Sequence, residues 1–464
     1  MSLSNRPATR IMRLVFATVA VAGCDSSRDP SGPARDPRAM LSGAVTARAT
    51  GVTGVTVTTA NPSFGAQGQA NERVTITGTG FTPDSKAAWL RNGVVDTTIT
   101  VTSTEYVSST MLTATISISS KSAVDYRDIK VTASAGRTQG IGSLLFEVTQ
   151  GVQVAGTSWI RSINDHGEAT GTLAGGNGVF FYSVATGQLE TVSTTGTGYD
   201  VSPAGTTIVG EGGTGGGFPY VYTRTAPGTW QAAALPIDAS AVAGTARALL
   251  ADATGQVVQI AGAEFYPNTR SGSASSAVIW TWQASTGSWQ RTALPGAGGV
   301  VRHRALSNTG ILGGTASVGR TLGAAVWMPN GSGGYTMTSL ATLGAVNGVR
   351  ADGGLLVGFT STPVYWRAQT GGTWSAPITV PGGCSSVKDI ADAGRVILND
   401  CPLTTKGQTF AAYADAPYGS LSRLGGLGPK SNVGFASGIS HSGHYASGYA
   451  DVNSQSVGIY WTLP

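Results

Sequence analysis

The sequence predicts an all-β protein: a β-sandwich followed by a seven-bladed β-propeller. Three observations predict it. Charged residues make up only 11% of the chain, while glycine occurs 67 times among many Thr, Ser and Val residues. That composition suits strands and turns, not helices. No stretch beyond the N-terminal apolar run has helical apolar spacing. A short phrase, an apolar residue four places before a glycine, recurs seven times: Ile163–Gly167, Val201–Gly205, Ala251–Gly255, Leu306–Gly310, Val349–Gly353, Ile390–Gly394 and Ile439–Gly443. Its spacing of 38 to 55 residues, with an aromatic band after each copy, is that of a strand-built repeat closing into a ring.

Residues 1–23 read as a targeting segment. Arg6, Arg10 and Arg13 form a basic lead, and Leu14 to Ala22 an apolar run. The run is shorter than the roughly 20 residues that span a bilayer, and it fits a secretory signal. Val21-Ala22-Gly23-Cys24 then resembles a bacterial lipobox. The resemblance implies cleavage before Cys24, lipidation of its sulfur and anchoring of an exported protein to the bacterial membrane. Ordinary secretion, with Cys24 as a bystander, is the competing reading. Residues 24–51, rich in Asp, Ser, Pro, Arg and Ala, read as a flexible tether.

Loss of residues 1–23 removes three Arg and no acid, so the net charge falls from +5 to +2. No Lys/Arg run follows, which argues against nucleic acid as a partner. With Cys24 committed to lipid, Cys384 and Cys401 remain, 17 residues apart. In an oxidising compartment they close a disulfide worth roughly 3 kcal/mol. Two unrelated buried thiols is the other reading.

Residues 52–150 alternate as half-buried strands do. Val55-Thr56-Val57, Val74 to Thr77, Ile99-Thr100-Val101, Leu112 to Ile118, Ile129-Lys130-Val131 and Leu145 to Val148 each set apolar residues on one face. Asn61-Pro62, Pro83-Asp84, Asn92-Gly93 and Gly136 mark turns between them. The segment Val74-Thr75-Ile76-Thr77-Gly78-Thr79-Gly80-Phe81, after Asn61-Pro62-Ser63, resembles the IPT/TIG module. That resemblance implies an immunoglobulin-like sandwich acting as a spacer or binding unit, with no catalytic residues. Gly78 and Gly80 permit a tight corner, and Phe81 plugs the end of the sandwich. No helix or phosphate-binding Lys follows, so the glycines are not a nucleotide loop.

In residues 151–464 each repeat supplies four short strands, one propeller blade. In the first, Asn164-Asp165-His166-Gly167 is a turn, and Phe180 to Tyr182 belong to the third strand. Long inserted loops are expected near Gly262–Ser276, Gly313–Leu322 and Pro402–Gly407. The seventh copy stops one strand short, at Trp461-Thr462-Leu463-Pro464, and Val152-Gln153-Val154 is available to close the ring. A six-bladed ring would leave one copy unplaced. Ile163-Asn164-Asp165-His166-Gly167 with its aromatic band resembles the HAF extracellular repeats, and Ile390–Gly394 and Ile439–Gly443 are degraded versions. The resemblance implies export and a propeller, and no chemistry.

Candidate sites are few. Asp165, Asp252, Asp352 and Asp392 sit in the recurring turn, where Asp bonds its own backbone. Glu211, Glu264, Asp400 and Asp451 lie outside it, and no spacing sets two of them at the separation glycoside hydrolysis needs. His166 and His441 occupy neighbouring slots of the turn in the first and last copies, which ring closure makes adjacent. No Cys or carboxylate is spaced to complete a zinc site, and no cofactor is implied. Trp230, Trp289 and Trp374 each follow a hairpin turn. They read as packing between blades, or as an aromatic platform for sugars. The expected function is non-catalytic binding or scaffolding of an envelope protein or polysaccharide by a monomer. The alternative is a carbohydrate-active hydrolase or lyase using the funnel of the ring. Close carboxylates or a His/Tyr/Arg set at a mouth would favour the enzyme. Ser, Thr, Gly and aromatics would favour binding.

Overall fold

The computed structural model describes residues 54–67, 71–119, 121–149, 151–213, 217–267, 275–402, 409–427, 431–452 and 455–463. The signal segment, Cys24 and the tether lie outside them. The described residues form one compact unit, and all their regular structure is β.

The N-terminal strands make two sheets. One orders Thr56–Asn61, Glu72–Thr79, Met111–Ile118 and Ile99–Ser108 side by side. The other orders Phe64–Ala66, Thr138–Thr149, Asp125–Ala133, Lys86–Arg91 and Val94–Val95. The alternation becomes burial: along Met111–Ile118 every second residue is buried. Val74, Ile76 and Leu112 of the first sheet share one core with Trp89, Ile129 and Phe146 of the second. Phe81 is buried beside them, and a Cβ on Gly80, whose φ is +75°, would fall 1.7 Å from Gly54 O. Asn92-Gly93, both at positive φ, make the two-residue hairpin between Lys86–Arg91 and Val94–Val95. Reading by alternation missed Lys86–Arg91, whose Ala87-Ala88 carries little apolar signal although Trp89 fills the core.

From residue 151 onward, sheets follow one another along the chain. Sheet 1 spans residues 157–193, sheet 2 197–234, sheet 3 243–293, sheet 4 300–339, sheet 5 345–379 and sheet 6 386–423. Sheet 7 combines 431–462 with Gly151–Gln153. The first strand of each sheet contacts that of the next, and that of sheet 7 contacts that of sheet 1. A closed cycle of seven antiparallel sheets is a propeller-like ring. Gly151–Gln153 completes it by pairing with Gln455–Thr462, Val152 opposite Tyr460.

The recurring phrase is one structural device. All seven of its glycines take positive φ, from 66° to 87°. Each donates its N–H to the carbonyl three residues earlier, as Gly167 does to Asn164 and Gly443 to Ser440. In sheets 3, 4 and 7 the aromatic band holds the sheet to the segment leading into it. Trp280, Trp327 and Trp461 are fully buried, and their indole N–H groups donate to Pro236, Pro295 and Gly425 carbonyls at 2.7, 2.7 and 2.8 Å. One expected insertion is absent: residues 312–329 form a tight hairpin, Val318 opposite Thr321. The small residues there lack apolar alternation, but pairing with neighbouring strands still makes them sheet. Residues 268–274 and 403–408, where the other insertions were expected, lie outside the described residues.

The two N-terminal sheets meet the ring through Phe64, which packs on the cluster of Ala436, Trp461 and Leu463. Glu147, 2% exposed, lies at the same junction beside Tyr126 and Arg423.

Candidate functional site

The ring axis is built by a repeated irregularity. In six sheets the pairing of the first two strands slips by one residue at a matching position, occupied by Arg161, Tyr199, Arg247, Asn347, Lys388 and Ser437. In sheet 4 the interruption runs from Arg302 to Ala305. A bulge turns the extra residue out of the ladder and re-aims it. These residues meet partners from sheets that are not neighbours, which is possible only across the axis. Tyr199 of sheet 2 stacks on His303 of sheet 4, ring centroids 4.7 Å apart. Arg304, at φ 54°, donates to Ile163 O of sheet 1 at 2.9 Å. It also stands 3.8 Å from Asp200 of sheet 2 and 3.6 Å from Asp389 of sheet 6.

Arg304 of sheet 4 therefore ties sheets 1, 2 and 6 together across the axis. Asp200 also accepts from Ser162 Oγ at 2.8 Å and Leu249 N at 3.1 Å, so it links three sheets. Asp389 accepts from Ile439 N at 3.0 Å. Burial pushes both carboxyls above the usual range, and Arg304 opposes that shift. Above Arg304 a hollow of about 60 Å³ is lined by Asn164, Asp165, Pro203, Asn308 and His441. That is space for about two waters.

Beyond Arg304 the axis is cationic. The guanidinium of Arg161 lies 3.5 Å from the Trp159 ring centre and 5.4 Å from that of Tyr199. Arg247 also stands near the Tyr199 ring, 5.6 Å from its centre. Burial, then the charges of Arg247, Arg161, Arg302 and Lys388, hold the His303 imidazole well below its usual pKa. Positive charges on sheets 1, 3, 4 and 6 thus keep this histidine neutral, and its Nε2 is buried without a hydrogen-bond partner. Burial first, and Glu211 next, push the Tyr199 hydroxyl up to about 12.

The residues singled out by sequence fall elsewhere. His166 Nδ1 lies 3.0 Å from Pro203 O, towards sheet 2, whereas His441 Nδ1 lies 3.4 Å from Asp392, towards sheet 6. Adjacent slots of one turn diverge to opposite sides, so the two histidines are not brought together. Trp230 donates to Glu190 at 2.9 Å and packs on Phe181 of the preceding sheet. Trp289 and Trp374 pack on the clusters of Val209 and Val221, and of Val326 and Val346. All three fill seams between sheets. Glu264, Asp400 and Asp451 bond Arg291, Ser385 and Ser456 within their own sheets, and Glu211 bonds Tyr199 within its own. Among the described residues no three His, Cys, Asp or Glu side chains converge as a metal ion requires. Cys384 and Cys401 are joined as a disulfide in sheet 6.

Sequence reasoning missed Arg161, Tyr199, Arg247, Arg304 and Lys388. A faint signal exists: the residue two places before the phrase's apolar residue is polar or aromatic in six copies, and sheet 3 is offset by two.

No family model matches the chain, and no curated protein does. Neither family resemblance therefore has support beyond its motif residues. Three solved structures are similar at low scores. A protein from Lactobacillus plantarum is 12% identical over 66% of this chain and 92% of its own, with TM-score 0.35. The tricorn protease is 12% identical over 85% of this chain and 37% of its own, with TM-score 0.26. A quinonprotein alcohol dehydrogenase-like protein from Bacteroides thetaiotaomicron is 8% identical over 89% and 99%, with TM-score 0.23. The ring stands on its strand pairing alone.

Proposed function

We propose that this is a non-catalytic lipoprotein of the bacterial cell envelope, anchored through Cys24, whose propeller binds a negatively charged polysaccharide or protein partner at the axis. In this reading residues 1–23 are removed, 24–51 are a tether, and 52–150 are an IPT/TIG-type immunoglobulin-like spacer. Residues 151–464 are a seven-bladed propeller of HAF-type repeats acting as a monomer. The observation that carries the reading is the placing of Arg161 and Arg247 within 5.4 and 5.6 Å of the centre of the Tyr199 ring, which stacks on His303 at the axis. Cations gathered in a low-dielectric setting attract counter-charged groups. The test is binding of polygalacturonate against dextran. Saturable, salt-sensitive binding of the acidic polymer, weakened in Arg247→Ala, supports the reading. Equal binding of both polymers, or of neither, sinks it.

One observation favours the second reading, a lyase acting on an acidic polysaccharide. Tyr199 and His303 stack, with Arg161 and Arg247 near the tyrosine ring, a His/Tyr/Arg set. A neutral imidazole accepts the proton α to a uronate carboxylate while arginine neutralises that carboxylate. The C–H pair becomes the new C=C bond, the adjacent C–O bond breaks, and the leaving oxygen takes a proton. Ultraviolet absorbance from an unsaturated product, abolished in His303→Ala, would establish this reading, and its absence with tight binding would exclude it.

A further inference from the structure

The seams between sheets are not equally filled. Strand pairing sets Glu168 opposite Ser183 and Glu190 opposite Phe181 in sheet 1, and Arg224 opposite Trp230 in sheet 2. At that seam Arg224 and Trp230 both bond Glu190, and Trp230 covers Phe181. The matching rungs of sheets 3 and 4 hold Gln259 opposite Thr281, Thr292 opposite Ile279, and Pro329 opposite Tyr335. Neutral and smaller groups replace the ion pair and the indole. A Cβ on Gly205, in the sheet 2 turn, would fall 2.0 Å from Glu168 Oε2, whereas one on Gly310, in the sheet 4 turn, would stand 3.9 Å from Gln259 Oε1. The seam has opened into a cleft of about 500 Å³. Volumes of about 300–1,000 Å³ hold small ligands.

The lining states the chemistry. Gln259, Thr281, Thr292, Asn308, Thr309 and Tyr335 present amides and hydroxyls over a floor of Val258, Ile279 and Pro329. Gln259 Oε1 is buried without a hydrogen-bond partner. A buried acceptor left without a donor is unfavourable, and a ligand hydroxyl supplies the missing donor. Tyr335, half-buried, offers a ring beside it. Apart from the tyrosine, no lining side chain is ionisable, so a charged ligand would be desolvated without a counter-charge. None of the axial cations lines the cleft, so it is a separate feature from the channel.

We propose that the cleft between sheets 3 and 4 binds an uncharged, polyhydroxylated ring compound of one or two saccharide units, oriented by Gln259, Thr292 and Tyr335. This goes beyond the axial reading and does not depend on it. The test is saturation-transfer NMR on the full chain with glucose, galactose, N-acetylglucosamine and cellobiose, and with glucuronate as the charged comparison. At least one neutral sugar should bind saturably, about tenfold more weakly to Gln259→Leu and measurably more weakly to Thr292→Val. Thr292→Val only exchanges a hydroxyl for a methyl, so it keeps the test meaningful if Gln259→Leu melts early. Binding by no neutral sugar, or binding that both variants leave intact, overturns the proposal. So does binding lost in Arg247→Ala but kept in the cleft variants, which would move the site to the axis. Tighter binding of glucuronate than of glucose refutes the uncharged ligand.

Discussion

Glu147 sits where the N-terminal sheets meet the ring, 2% exposed, with one carboxylate oxygen lacking a hydrogen-bond partner. Burial is the main reason its pKa rises from 4.5 to about 6; Arg423 and the Tyr126 hydroxyl oppose the rise, and Asp125 adds to it. A carboxyl whose pKa is raised on folding is destabilising in its ionised form. Its contribution is fully favourable below the unfolded pKa near 4.5 and is lost as pH rises through about 6. A shift of that size corresponds to about 2 kcal/mol. Glu147→Gln keeps the shape and removes the charge. Denaturant titration should show the variant and the parent equally stable at about pH 4, with the variant gaining up to about 2 kcal/mol by about pH 8. A carbon-13 titration of the parent should place the Glu147 midpoint near 6. A stability difference that does not change with pH, or a parent more stable than the variant at alkaline pH, would refute the argument.

Arg304→Met leaves Asp200 and Asp389 buried without their cation and should cost about 3–5 kcal/mol in thermal or denaturant unfolding. Adding Asp200→Asn and Asp389→Asn should recover part of that loss. Replacing Cys384 and Cys401 by Ser opens a loop of 17 residues and should cost about 3 kcal/mol; thiol labelling of the unreduced, denatured parent should mark neither cysteine. Asp96→Asn weakens a buried pair in which Arg127 Nε donates to Asp96 at 2.6 Å, and should lower the denaturation midpoint of the N-terminal sheets. Cys24→Ala should release the protein from membranes in a fractionation; wholly membrane-bound protein would end the anchoring reading.

The ring was readable because its period is written in residues with a conformational demand. Seven glycines at positive φ, each receiving a strand and returning one, need no tertiary information to be recognised. The closing strand was readable because a blade one strand short implies a partner elsewhere. The axis was not readable in the same way. Arg161, Tyr199, Arg247 and Lys388 look like ordinary positions in alternating strands until the pairing slips. A bulge belongs to two strands together, and neither sequence alone records it. Trp230, Trp289 and Trp374 were recognised as a set, and the packing reading describes where they lie. Tyr335, in the same slot of sheet 4, was passed over because it is not a tryptophan.

Gly151–Gln153 pairs with Gln455–Thr462, residues separated by roughly 300 positions, so this contact is among the slowest to find its partner. Until the last strand exists, the first strand of the ring has nothing to pair with, and sheets 1 to 6 can assemble only as an open arc. Phe64, far earlier in the chain, packs on the cluster that includes Trp461 and Leu463 at its other end. The first-made and last-made parts of the body therefore acquire their settled positions together. A chain cut short before Gln455 would lose the closing strand pair and the seat of the N-terminal sheets in one stroke, and its unpaired edge would be open to proteolysis and to pairing with other chains.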